Sequence, residues 1–252
     1  MKNLVKLLAL SAVVLLTTLS LTACDNGGGG GTHTHTWGNW TQTTAPTCTT
    51  AGVDTRTCTL DPTHKETRAG AAALGHTPNT ETGLCTVCNA LTYNLDDTGP
   101  GGGKIFYRLE AGFTMTDTNE VCHYLEAAPA DMSTELAWAS SGYTTTDISG
   151  TGSKVGTGRK NTALILATDA NAPAAKACKD YSNGGKTDWF LPSNDELYEL
   201  YIIDASLGNY WSSSQSIIIS NFNEYAGVKG SSGFIQSGKK EYTYSVRAVR
   251  AF

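Results

Sequence analysis

The chain lacks a basic excess, and that absence removes one class of partner at the outset. Its 252 residues carry 18 Lys/Arg against 23 Asp/Glu, a formal net charge of −5. A nucleic-acid-binding face needs clustered cations, so none is expected here. The imbalance is local: residues 1–91 hold five charges of each sign, and residues 92–252 hold 13 basic against 18 acidic. Histidine is scarce as well, and only His123 of the five lies beyond residue 91. Its neighbour Cys122 sits beside it in a predicted strand, where adjacent side chains point to opposite faces, so the two cannot act as a Cys–His pair. A complete phosphate loop is also missing. “GGKT” (Gly184–Thr187) has Asp180 where the earlier glycine is required, and “GTGSKVGTG” (Gly150–Gly158) has Val155 in the third glycine position. Asp195, Glu196 and Glu199 are adjacent carboxylates, but at a helix start they read as partners of the helix dipole, not as acid/base catalysts.

Long apolar runs are absent except at the N-terminus. Lys2 and Lys6 precede “LLALSAVVLLTTLSLTA”, which is short for a spanning helix of about 20 residues. The run ends in “LTAC” (Leu21–Cys24), which resembles a bacterial lipobox, so residues 1–24 are expected to be a lipoprotein signal and Cys24 to be acylated. Residues 25–36 follow as a tether, with five consecutive glycines at Gly27–Gly31 that cannot bury side chains. The expected partner of this end is a membrane, reached through the Cys24 lipid, and the expected location is an outer membrane or cell surface.

Lipidation of Cys24 leaves six of the seven cysteines, at 48, 58, 85, 88, 122 and 178. Residues 37–91 are rich in Thr, Ala, Gly and Cys and poor in large aliphatics, which favours short strands such as “VDTRTCT” and needs crosslinks to supplement a small core. Internal similarity, “TTAGVDTRTCT” against “TETGLCTVCNA”, marks about one and a half repeat units. Two chemistries fit Cys48, Cys58, Cys85 and Cys88, with His64 and His76 near them. An exported compartment and an even cysteine count favour disulfides, with Cys48–Cys58 across a hairpin as the leading pair. Alternatively the four cysteines form a zinc site, for which Cys85-x-x-Cys88 is a ligand knuckle. The spacing of Cys48 and Cys58 weakens that second reading, because a zinc ribbon would show another C-x-x-C there. Cys122 and Cys178 are either a crosslink or two buried thiols.

Beyond residue 91 regular elements appear. “GPGGGKIFYRLE” reads as a glycine turn feeding a strand at Lys104–Leu109, “CHYLEAAP” as a strand stopped by Pro129, and “NTALILATDA” and “APAAKACKDY” as helices. “DWFL” reads as a buried strand ended by Pro192, after which Ser193 and Glu196 form a capping box for a further helix. “YWSSSQ”, “NEYAGV”, “GFIQSG” and “YSVRAVRAF” read as short strands, with “KGSSG” as a hairpin turn. The expected class is α+β.

“GPGGGKIFY”, “YLEAAPADM”, “GTGRKNTALI”, “AAKACKDYSNGGKTDWFLPSNDEL”, “YWSSSQ” and “VRAVRAF” occur in an order that resembles the Lcl C-terminal domain family, named for the Legionella collagen-like adhesin. The resemblance spans nearly all of residues 95–252. It implies a C-type-lectin-like fold with short antiparallel strands and two or three helices, and an adhesive role toward extracellular glycans or matrix proteins. No collagen-like Gly-x-y stalk precedes the domain, so a stalk-driven trimer is not implied, and the sequence sets no oligomeric state. The tripeptides by which calcium-dependent lectins hold sugar (Glu-Pro-Asn, Gln-Pro-Asp, Trp-Asn-Asp) do not occur, and neither a cofactor nor catalysis is expected. Lys229, Lys239, Lys240, Arg247 and Arg250 are candidates for a basic ligand patch, against the alternative of solvated charges and internal arginine pairs. Tyr210, Trp189 and Trp211 are candidates for stacking on sugars, against the alternative of core packing. If no ligand binds, the remaining reading is a structural or display lipoprotein.

Overall fold

The computed structural model describes residues 34–206, 208–215, 225–229 and 235–252. Cys24, the glycine tether and most of the “KGSSG” turn lie outside them. Among the described residues the protein is α+β, with three helices and sheets whose strands pair antiparallel apart from one parallel pair in the five-stranded sheet.

Strands β1 (Thr41–Thr44), β2 (Val53–Thr57) and β3 (Lys65–Ala69) form a three-stranded sheet in that order. Two compact units divide the chain: residues up to Thr41 with Thr55–Thr67, and Gln42–Asp54 with Arg68–Phe252. The boundary expected at 91/92 therefore lies inside the second unit. In the first unit Trp37 bridges Cys58, and the Arg56 guanidinium lies 5.0 Å and 4.7 Å from the ring centres of Trp37 and Trp40. Cation–aromatic contact does the work here that aliphatic packing does elsewhere.

The second unit carries two further sheets. β4 (Lys104–Thr114), β5 (Val121–Ala127) and β11 (Val249–Ala251) form one in the order β11-β5-β4. β6 (Ser133–Ala137), β7 (Tyr210–Gln215), β8 (Tyr225–Lys229), β9 (Ile235–Lys239) and β10 (Thr243–Val246) form the other in the order β6-β10-β7-β8-β9. The terminal “YSVRAVRAF” is thus two strands in two sheets and not the single strand expected. Arg247 and Ala248 carry the chain across, with Arg247 donating to Asp131 and Ala128 N–H to the Ala248 carbonyl. β6 was not anticipated, because “STELA” shows no clear apolar alternation. “DWFL” is buried at Trp189, Phe190 and Leu191 as expected, but only Phe190 pairs, in a bridge to Val249.

Helices α1 (Gly158–Thr168), α2 (Pro173–Lys179) and α3 (Asn194–Ile203) stand where the periodicity places them. α2 begins on proline at its first turn, where the missing N–H costs nothing. α3 begins with the complete capping box: Ser193 accepts from Glu196 N–H, and the Glu196 carboxylate accepts from Ser193 N–H at 2.7 Å. Trp138, Trp189 and Trp211 are buried, and their indole N–H groups donate to the carbonyls of Ser212 at 2.8 Å, Lys186 at 3.1 Å and Leu136 at 2.8 Å. Each large ring is therefore buried without an orphan donor.

Two buried carboxylates organise the unit. Glu126 on β5 accepts from the N–H groups of Gly101 at 3.0 Å and Gly103 at 2.6 Å, and from Arg250 on β11 at 3.2 Å. Glycine is required in that loop: a Cβ on Gly103 would lie 2.0 Å from the Ala127 carbonyl oxygen, and one on Gly101 would lie 2.7 Å from Trp189. Glu196 on α3 is the second centre. It accepts from Ser193, from Gly156 at 2.8 Å and from Gly158 at 3.4 Å, so one side chain closes the starts of both α1 and α3.

Candidate metal centre and ligand surfaces

Three backbone segments of the second unit converge at one point. Leu74 and Gly75 donate from their N–H groups to the carbonyls of Thr47 and Cys48, both at 2.9 Å. Pro78 bridges Cys85, and Thr86 N–H donates to the Thr77 carbonyl at 3.0 Å. His76 lies between these two pairings, so the chain on one side of it is held against Cys48 and on the other against the Cys85 turn. That turn is tight: Asn89 N–H donates to the Cys85 carbonyl, Asn89 has φ +58°, and Leu84 bridges Leu91.

The outcome is a cluster in which one ligand-type atom from each of Cys48, His76, Cys85 and Cys88 lies within 4.8 Å of the others. Cys48 Sγ is 3.7 Å from Cys85 Sγ, 37 residues away, and Cys88 Sγ is 3.3 Å from His76 Nδ1. Cys48 and Cys85 are buried, whereas Cys88 and His76 are exposed. The backbone N–H groups of Cys88 and Val87, followed by the His76 side chain, hold the Cys85 thiol down at about 5. The Cys48 thiol is pushed up to about 12, first by its hydrogen bond with Cys88 and then by burial.

This arrangement corrects two expectations. Cys48 lies with Cys85 and Cys88, while Cys58 belongs to the other compact unit, so the hairpin pair Cys48–Cys58 is replaced. The four-cysteine ligand set is likewise corrected, with His76 in the place of Cys58. Residue type alone suggested Cys58, against its spacing from Cys48, and the signal that points to His76 is the backbone pairing on both its sides. Cys122 and Cys178 are two buried thiols and not a crosslink, because Cys122 packs with Phe113 and Leu125 whereas Cys178 packs with Ile165 and Trp189. Burial pushes the Cys122 thiol up to about 12 and the Cys178 thiol up as well, which leaves both protonated and inert.

Among the described side chains, the basic candidates do not assemble into a patch. Lys240 is buried, donating to the Thr146 carbonyl at 2.7 Å and to Gln215 Oε1 at 2.8 Å, with its ammonium 4.7 Å from the Trp138 ring centre. Arg250 is buried between Glu126 and Asp188. Arg247 is tied to Asp131 at 2.6 Å. Lys239 stays partly exposed beside Glu241, and the Lys229 side chain lies outside the described residues. Lys240 in the turn after β9, Arg247 in the link between β10 and β11, and Arg250 on β11 are thus received by carbonyls and carboxylates of the protein itself. Tyr210, Trp189 and Trp211 are buried, so they are core residues and not a stacking platform. Glu196 is a capping group, His123 Nδ1 lies 3.1 Å from the Leu109 carbonyl, and Asp195 pairs with Lys154 at 3.2 Å. The half-buried Glu199 carboxyl is held up, first by burial and then by Asp195.

A cleft of about 590 Å³ opens beside β4, the end of β5 and the end of α3. Phe106, Ala127, Ala128, Leu200 and Ile203 give it an apolar lining, and Asp96, Lys104, Asp204 and Arg247 add two charges of each sign. Sequence reasoning did not find it, since its residues come from four separated segments. The Lys104–Asp96 pair is solvent-exposed at 3.3 Å and so contributes little to stability. Asp204 is held below the usual carboxylate range, first by its hydrogen bond from Ser206 and further by Arg247 and Lys104. No protein-family model matches this chain, and no curated protein matches it either.

Proposed function

We propose that this chain is a membrane-tethered surface lipoprotein whose C-terminal α+β domain binds an extracellular glycan or matrix protein. The observation that carries the proposal is the cleft beside β4, β5 and α3. It has the size of a small-ligand site, an apolar lining and opposed charges that would orient a polar ligand. The lipobox-like Leu21–Cys24, the glycine tether and the ordered motifs resembling the Lcl C-terminal domain supply the setting of a C-type-lectin-like adhesive module. Recognition in the cleft differs from the polyanion mode that a basic patch would serve, because Lys240 and Arg250 are internal partners. The protein is read as a binder and not an enzyme: Glu126 and Glu196 direct their oxygens at backbone N–H groups.

The test is binding of the full chain, displayed on cells or extracted in detergent, to a panel of glycans and matrix proteins. Thr98 lines the cleft and is exposed, so Thr98→Trp fills it without removing an internal contact. Saturable binding that Thr98→Trp abolishes at unchanged thermal stability supports the reading. Absence of binding to every member overturns it and leaves a display lipoprotein. Labelled fatty acid should enter the wild type and not Cys24→Ser.

A further inference from the structure

Beyond ligand binding, the geometry points to a metal site: we propose that Cys48 Sγ, His76 Nδ1, Cys85 Sγ and Cys88 Sγ bind one tetrahedral zinc ion. Metal–sulfur bonds of about 2.3 Å at tetrahedral angles separate two sulfurs by about 3.8 Å, and a sulfur from an imidazole nitrogen by about 3.6 Å. The observed separations, 3.7 Å for Cys48–Cys85 and 3.3 Å for Cys88–His76, match that spacing. A disulfide needs its sulfurs at about 2.05 Å, and it would use two of the three thiols while leaving the third beside an imidazole without a role. A single cation uses all four groups.

Donor type selects the metal. Thiolates and imidazole favour zinc over calcium or magnesium, which take oxygen ligands. Four protein ligands complete a tetrahedron and leave no position for water, so the site is structural and not catalytic. The backbone around the ligands is itself braced: Thr86 N–H donates to the Thr77 carbonyl at 3.0 Å and Asn89 N–H to the Cys85 carbonyl at 3.0 Å. Zinc binding would displace to solvent whatever protons the three thiols still carry, giving three thiolates and a neutral imidazole around Zn²⁺. The ion would join the loop after β1, the segment after β3 and the Cys85 turn, where apolar side chains are few. Coordination there supplies cohesion that a small core cannot.

The test uses the full-length chain extracted in detergent, loaded under reducing conditions with Zn²⁺ or Co²⁺ alone. One equivalent of metal per chain is expected, with the visible absorption of a tetrahedral thiolate–imidazole site for Co²⁺. Cys48→Ser and Cys88→Ser should each weaken binding by more than the about 10–100-fold that losing an outer-shell partner costs. Cys58→Ser and Cys122→Ser should each keep one equivalent. His76→Cys should also keep it, with the Co²⁺ spectrum moved to that of four sulfurs, which separates ligation from general misfolding. The near-ultraviolet signal of the buried tryptophans reports that the rest of the unit remains folded in every variant. The proposal is overturned by a disulfide among Cys48, Cys85 and Cys88 in freshly isolated protein. It is equally overturned by folded, reduced protein that takes up no metal, or by loss of metal in Cys58→Ser.

Discussion

Arg250 and Glu126 meet at 3.2 Å inside the domain, with side chains 2% and 0% exposed, and neither depends on the other alone. Arg250 also grips Asp188 through Nε at 2.9 Å and Nη2 at 3.1 Å, while Glu126 receives the Gly101 and Gly103 N–H groups. Removing the arginine would strand a buried carboxylate. Arg250→Met is therefore expected to cost about 3–5 kcal/mol in urea unfolding. A cost near zero would mean that the Gly101 and Gly103 N–H groups satisfy Glu126 without the arginine.

Ser193 begins α3, and its hydroxyl is one half of the capping box. Ser193→Ala should lower stability by about 1 kcal/mol and leave ligand affinity unchanged. Calorimetry alongside a binding isotherm checks both. Lost binding at unchanged stability would make this corner a recognition site.

Burial pushes the Glu196 carboxyl up to about 7, against the opposing pull of the Ser193, Gly156 and Gly158 N–H groups. A folded-state value above the unfolded one means that the folded chain holds the extra proton between about 4.5 and about 7. Stability from this group is therefore greatest below that window and falls as pH rises through it, by on the order of 3 kcal/mol. Urea midpoints measured from pH 4 to 8 should show the decline, and Glu196→Gln should flatten it.

Lys240 shows the opposite sign. Burial depresses its ammonium to about 8, partly offset by Asp147. The unfolded chain then binds more protons between about 8 and about 10.5, so this contribution to stability rises with pH across that window. Lys240→Ala should lower the melting temperature and leave retention on a sulfated polysaccharide column unchanged. A loss of retention without a change in melting would restore Lys240 to the surface.

Local chemistry was legible in the sequence wherever neighbours in the chain decide the outcome. Pro192, Ser193 and Glu196 announce the start of α3, and Gly184 and Gly185 take the positive φ expected after α2. Relations decided by distant segments were not legible. His76 displaces Cys58 from the sulfur cluster because residues 74–75 pair with 47–48, and no spacing rule reports such a pairing. The sequence offered Arg250 both as a patch cation and as an internal arginine, and Lys240 as a patch or solvated cation, because charge is visible in a sequence whereas Glu126 and Gln215, more than 20 residues away, are not visible as their partners. The cleft escaped for the same reason, and β6 because a polar edge strand has no clear apolar period.

The two carboxylate hubs carry a consequence for what resemblance can report. Gly101, Gly103, Glu126, Asp188 and Arg250 come from four of the quoted motifs and meet at one centre, while Gly156, Gly158, Ser193 and Glu196 come from two motifs and meet at the other. These residues face inward and hold the backbone together. The wall of the cleft is divided: Lys104, Phe106, Ala127, Ala128 and Arg247 belong to the motifs, whereas Asp96, Thr98, Leu200, Ile203 and Asp204 belong to none. Chains could share every motif and still present different chemistry to the outside, so specificity can diversify without disturbing the frame. The motifs thus fix the frame and one side of the cleft, and the remaining wall is where different partners would be told apart.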